Sequence, residues 1–151
     1  MSMEPLQLTL SDFAGLSIFK SMKIPKIIGS ISEIDLFSFR MGLLNCAFSG
    51  REGIPENISE LPPSYYDTSI SSYVKDNDKI MGMFLIRKNE DDSLEMILLQ
   101  ALGVDAKTYL VGMMRNAYAR ALEAYAADTP VIIPRVSEAS IALTKNLFPG
   151  K

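Results

Sequence analysis

The sequence predicts a single soluble α/β (α+β) domain, a central sheet covered by helices on both faces. Two consecutive apolar segments, residues 79–87 with the run IMGMFLI and residues 94–104 with the run MILLQAL, are each bounded by polar turn residues. Runs of that length without alternation read as central strands buried on both sides. Directly after them Leu110, Met113, Met114, Ala117, Tyr118, Ala121, Leu122 and Tyr125 recur at three- and four-residue intervals, with Arg115, Asn116, Arg120 and Glu123 on the other side. That pattern is a long amphipathic helix over residues 107–126. The length, 151 residues, suits one domain with a sizeable core.

The other elements follow in order. Residues 6–10 alternate apolar and polar and read as a short strand. Ser11 and Asp12 are N-cap types for a helix through Phe13, Leu16, Ile18 and Phe19, broken by Pro25 and Gly29. Ser30 and Glu33 have capping-box spacing, with Ser32 a rival cap. The helix they introduce carries Leu36, Phe39, Leu43, Leu44 and Phe48 as a stripe and stops at Gly50. Residues 51–67, with Gly53, Pro55, Pro62 and Pro63, read as loop. A first meander strand spans residues 70–74, and Asp76-Asn77-Asp78 turns the chain into the second. Thr129-Pro130 ends the long helix, residues 131–133 form a short buried strand, and residues 137–148 form a last helix before Pro149-Gly150.

Composition excludes several functions. The net charge is −3, the pI is acidic and Lys and Arg do not cluster, which argues against nucleic acid as a partner. No apolar stretch approaches the roughly 18 residues of a membrane span, so no membrane contact is expected. No secretory signal is visible and Cys46 is the single cysteine, which together suggest a cytoplasmic protein. The chain has no histidine. Ser–His–Asp and Cys–His catalysis, His-ligated metals and cysteine-rich metal sites are excluded, and no metal is expected. Acid–base work falls to Asp, Glu, Tyr, Lys or water.

Three segments carry a resemblance. Ser71-Ser72-Tyr73-Val74-Lys75-Asp76-Asn77-Asp78-Lys79-Ile80-Met81-Gly82-Met83 is a hairpin with a short polar turn leading into an apolar strand. Ala101-Leu102-Gly103-Val104-Asp105 closes the third meander strand, and Ser137-Glu138-Ala139-Ser140-Ile141-Ala142-Leu143-Thr144-Lys145-Asn146-Leu147-Phe148 forms the last helix. In order and spacing these resemble the GNAT superfamily of acyl-CoA-dependent N-acyltransferases, best over residues 70–148. The resemblance implies a mixed, mostly antiparallel central sheet with helices on both faces, in the order β-α-α-β-β-β-α-β-α. It implies one such domain over residues 1–151, lacking the family's last two strands unless the N-terminal strand or another subunit completes the sheet. An uncompleted sheet edge points to a homodimer.

The same resemblance implies acetyl-CoA or another acyl-CoA as donor and an amine, on a small molecule or a protein, as acceptor. The donor would lie between the third meander strand and the long helix. Leu102, Gly103 and Val104 would meet the pantetheine arm; Lys107, Thr108 and Gly112, at the helix start, would meet the pyrophosphate. Residues 104–112 nevertheless lack the family's Arg/Gln-x-x-Gly-x-Gly/Ala loop, and an N-capping Asp105 would repel a pyrophosphate. Ser137 stands at the family's Asn position and Thr144 at its Tyr.

Each candidate residue has a plainer reading beside the functional one. Glu95 is a general base or an exposed residue near a strand start. Gln100 lines a pocket or is a hydrogen-bonded core amide. Tyr65 and Tyr66 wall a substrate pocket or pack the loop onto the domain. Lys107 and Arg115 meet phosphates or are solvated surface charge. Tyr118, Tyr125, Met81, Met83, Met96, Met113 and Met114 read as core, and Cys46 as a buried inert thiol. Two functions besides acyl transfer stay open: a GNAT-like domain without catalysis, and an unrelated α/β binding domain sharing only the meander.

Overall fold

The fold was examined in a computed structural model, which describes residues 5–14, 16, 27–47, 61–133, 142, 145, 146 and 148. The first strand, β1 (Leu6–Thr9), passes into a short helix, α1 (Leu10–Ala14). Thr9, and not Ser11 or Asp12, is the residue that starts this helix. Its N–H and hydroxyl both donate to the Asp12 carboxylate, at 2.9 and 3.3 Å. The expected continuation through Ile18 and Phe19, and the break at Pro25, lie outside the described residues.

A strand that the sequence pattern does not reveal follows, β2 (Ile28–Ser30), too short and glycine-bearing to show a period. The capping-box pair serves a single 3-10 turn (Ile31–Glu33), where the Ser30 N–H donates to Glu33 at 3.3 Å. Extended backbone at Ile34 separates that turn from α2 (Leu36–Ala47). Asp35 caps α2 instead: Ser38 N–H donates to its carboxylate at 3.3 Å. Phe48, the Gly50 stop and loop residues 51–60 lie outside the described residues.

The meander is β3 (Ser72–Asp76), β4 (Lys79–Lys88) and β5 (Leu94–Ala101). The first strand starts two residues later than its composition suggests, because Ile70 and Ser71 both donate their N–H groups to the Asp67 carbonyl in a turn. The third ends at Ala101, since Gly103 has a φ of 87° that no strand continues through. Helix α3 (Ala106–Ala124) and strand β6 (Pro130–Ile133) complete the described elements. Of the C-terminal helix expected over residues 137–148, residues 142, 145 and 146 are described and helical; the rest, except Phe148, lies outside the described residues.

The protein is α+β, with one six-stranded mixed sheet in the order β1-β6-β5-β4-β3-β2. All neighbours are antiparallel except β5 and β6, which run parallel. The N-terminal strand β1 pairs along the whole of β6, so the edge expected to stand open there is covered. The sheet's edge on that side is β1 itself.

Two bulges set which residues face which layer. β3 pairs Val74 with Gly82 and then Lys75 with Ile80, leaving Met81 as the extra residue. β4 pairs Leu85 with Leu98 and then Ile86 with Met96, leaving Ile97 extra. A bulge shifts the alternation by one residue. Leu94 and Met96 therefore join the core under α1 and α3, while Ile97 and Leu98 both face the layer under α2. This shift is why MILLQAL has no polar alternation.

Both helices close on β4 where a glycine leaves room. A Cβ on Gly82 would stand 3.0 Å from Met113 Cε of α3, and one on Gly42 of α2 would stand 2.8 Å from Ile80 Cγ2. In the α3 layer Phe13 stacks on Tyr118 with centroids 3.7 Å apart, and Phe148 meets Phe13 edge-on at 5.0 Å. The one polar residue of α3 in that layer, Asn116, donates to Ser72 Oγ at 2.8 Å. Tyr118, Met83, Met96, Met113, Met114 and Cys46 are buried as expected, whereas Met81 and Tyr125 are half-buried. The Tyr125 phenol donates to Asp67, tying the end of α3 to the loop before β3.

Candidate active site

β5 is the strand on which the candidate residues converge. Its ladder with β6 consists of Leu94↔Val131 and Glu95↔Ile132. The next residues, Met96 and Ile133, are not paired with each other, although Ile133 continues the ladder with Leu6 of β1 on its other side. From Met96 onward, then, the β6-facing edge of β5 has no partner strand among the described residues. The bulge at Ile97 falls at this point and takes backbone groups out of regular pairing on the β4 side as well. Free N–H and C=O groups on a strand edge accept an extended, amide-bearing chain as a further strand would.

Polar side chains gather beside the start of this open stretch. Glu95 lies opposite Arg87 of β4 and beside Ile132 of β6. Leu94 and Met96 point into the α3 layer, so Glu95 and Arg87 share the α2 face. Glu95 is half-buried, and its Oε1 accepts from Asn89 Nδ2 at 3.2 Å. Arg87 donates through Nη1 to the Tyr65 phenol at 2.7 Å, and its guanidinium carbon stands 4.5 Å from the Tyr65 ring centroid. Tyr65 is placed by a 3-10 turn (Pro63–Tyr65) opened by consecutive prolines.

Tyr66 and Gln100 have moved toward the plainer reading. Tyr66 is buried against Phe39 and Tyr65, at centroid distances of 6.1 and 5.1 Å, and desolvation raises its phenol to about 12. Gln100 is 2 % exposed and lies opposite Met83 in the layer under α2. It is a core amide, about 15 Å along β5 from Glu95 at ordinary strand rise. Cys46 is fully buried, and desolvation pushes its thiol up to about 12, which makes it unreactive at neutral pH.

The junction at the far end of β5 is tightly committed. The Leu102 N–H donates to the Met81 carbonyl at 2.8 Å, prolonging the β4–β5 ladder, and the Ala106 N–H donates to Gly103 at 3.3 Å. Val104 is fully exposed. Asp105 occupies the N-cap position without a side-chain capping bond. Tyr109, in the first turn of α3, donates to Asp76 at 2.9 Å; that bond, with desolvation and the charges of Asp76 and Asp105, raises its phenol pKa.

Two carboxylates, Asp76 and Asp105, stand near the first turn, where their charge opposes an anion, and the amides of Leu102 and Ala106 are bonded within the chain. Lys107 and Thr108 are exposed on that turn, Gly112 is buried in the next one, and Arg115 stands about 14 Å along the helix axis from its start. Lys107, Thr108 and Gly112 thus lie in the first two turns of α3, and Arg115 lies beyond them. Ser137 and Thr144 lie outside the described residues.

Sequence reading missed Arg87, Asn89 and the Ile97 bulge. Arg87 looked like the boundary of an apolar run, and a bulge leaves no mark in a run that is apolar throughout. Among the described residues no group of three or more His, Cys, Asp or Glu could hold a metal, and no helix is long and apolar enough to cross a membrane. No family model matches the chain, and no curated protein matches it.

Proposed function

We propose that this chain is a GNAT-like N-acyltransferase that moves an acyl group from a pantetheine thioester to an amine. One observation carries the reading. The parallel β5–β6 ladder ends at Glu95↔Ile132, next to the bulge at Ile97, so among the described residues no strand pairs with that edge of β5 past a half-buried carboxylate. The amide-bearing pantetheine arm has the chemistry to lie along such an edge. The amine nitrogen bonds to the acyl carbon as the C–S bond breaks, its proton goes to Glu95, and the leaving thiolate takes a proton from water. A backbone N–H of β5 that bonds no other group is suited to the oxyanion.

The donor is the thioester arm in this reading, and the nucleotide end of an acyl-CoA gains little at Asp76 and Asp105. Acetyl-CoA and acetylpantetheine at millimolar concentration are therefore expected to raise the melting temperature alike. A ligand at ~100 times its dissociation constant adds about 2.7 kcal/mol. No rise with either compound refutes the reading. Glu95→Gln is expected to keep that rise and to lose turnover.

The acidic junction favours a second reading, a GNAT-like domain without catalysis. It is supported if the thioester binds and no amine is acylated at a rate that Glu95→Gln reduces.

A further inference from the structure

We infer that the acceptor is an amine that carries a carboxylate, an α-amino acid in the simplest case, with its carboxylate on Arg87 and its amine at Glu95. The inference rests on the acyl-transfer reading above. Arg87 and Glu95 are directly opposed across β4 and β5 and share one face, where Cβ atoms stand about 5 Å apart. Opposite charges so placed ordinarily pair. Here neither salt bridge among the described residues involves them: Lys88 pairs with Asp92 and Arg120 with Glu33.

Each charge is instead turned aside by another partner. The Arg87 guanidinium lies against the Tyr65 ring at 4.5 Å and donates to the Tyr65 phenol at 2.7 Å. Glu95 receives the Asn89 amide at 3.2 Å. A cation and an anion stand side by side without forming an ion pair. Tyr65 uses one of the five guanidinium N–H groups, and the planar fork keeps enough donors for a two-point bond to a carboxylate. Because stacking on Tyr65 already holds the side chain, little freedom is lost when a ligand binds.

A zwitterionic amino acid complements this arrangement at both ends. Its carboxylate takes the place at Arg87 that Glu95 leaves empty. Its ammonium is attracted to Glu95 and releases one proton to solvent water to become the neutral nucleophile; Glu95 then takes the second proton, released as the C–N bond forms. An amine without a carboxylate would leave the guanidinium unanswered and would be held only at Glu95.

The test is steady-state thiol release by the full chain with acetylpantetheine, across a panel of α-amino acids and the corresponding decarboxylated amines. The expected result is a kcat/KM about 100-fold higher for the best amino acid than for its amine. Arg87→Gln is expected to raise KM for the amino acid by a similar factor, so that the preference for the amino acid over its amine is lost. Arg87→Lys, which keeps the charge and loses the fork, should restore part of the affinity, and Tyr65→Phe should raise KM by a smaller factor.

Equal use of both panels, or an unchanged KM in Arg87→Gln, overturns the inference and leaves acyl transfer standing. Thioester binding without turnover of either panel also overturns it. Absence of both thioester binding and turnover removes the acyl-transfer reading and the inference with it.

Discussion

Replacing Gly42 with alanine sets two effects of known size against each other. In a helix interior alanine is better than glycine by about 1 kcal/mol, so the change should stabilise α2 considered alone. The added methyl, however, would stand 2.8 Å from Ile80 Cγ2 and 2.9 Å from Met83 Sδ. The methionine sulfur can move aside. Ile80 cannot: it is β-branched, 4 % exposed and fixed in β4. Overpacking of this kind costs about 1–3 kcal/mol, so the expected net effect is a loss of up to about 2 kcal/mol. For a chain of this length that is a fall of up to about 8 °C in melting temperature.

Calorimetry or circular dichroism reads the shift, and the urea midpoint should fall with an unchanged slope. In an Ile80→Ala background, where the clashing methyl is gone, Gly42→Ala should become neutral or stabilising, a coupling that a double-mutant cycle isolates. A higher melting temperature for Gly42→Ala alone would refute the close approach of α2 to β4 on which the layer under α2 depends.

Two further predictions concern stability. The Tyr118 hydroxyl is buried without a hydrogen-bond partner among the described residues, so Tyr118→Phe should be neutral or should stabilise by about 1 kcal/mol; a larger loss would mean that the hydroxyl is partnered. Cys46 has its pKa raised from 9.0 to about 12 by burial, so the folded chain holds a proton there that the unfolded chain releases. Its contribution is complete below pH 9.0 and is lost as pH rises toward 12; Tyr66, raised from 10.0 to about 12, adds to the same loss over the upper part of that range. The urea midpoint should therefore fall across this range, less steeply in Cys46→Ala, and an equal slope in that variant would contradict the assignment.

The candidate site was legible only in part, for reasons that differ from residue to residue. Glu95 was recognisable only through the family resemblance, which places a base in the third meander strand; its position near the strand start fits an exposed residue equally. Tyr65 stood out as half of an aromatic pair, but its role depends on Arg87, twenty-two positions away, whose guanidinium it holds. Gln100 looked like a pocket residue because it interrupts an apolar run; its depth in the layer under α2 could not be read from the run itself. The phosphate-binding residues were proposed by position after the strand, and their dispersal along α3 is a consequence of helix geometry.

What the sequence determined by itself was periodicity and its breaks. The α3 stripe, the two central strands, the turn at Asn77 and Asp78, and the burial of Cys46 follow from local apolar spacing and turn chemistry, which each segment carries independently. Tertiary structure alone decided the parallel pairing of β5 with β6, its end at Glu95, the covering of β6 by β1, and the juxtaposition of Arg87 with Glu95. Register and strand order depend on which distant segments bury one another's apolar faces, and a bulge in a strand buried on both sides leaves the pattern of residue types unchanged. The helix that the sequence announces most clearly supplies the core, whereas the end of the β5–β6 ladder and the charged pair beside it arise where distant strands meet.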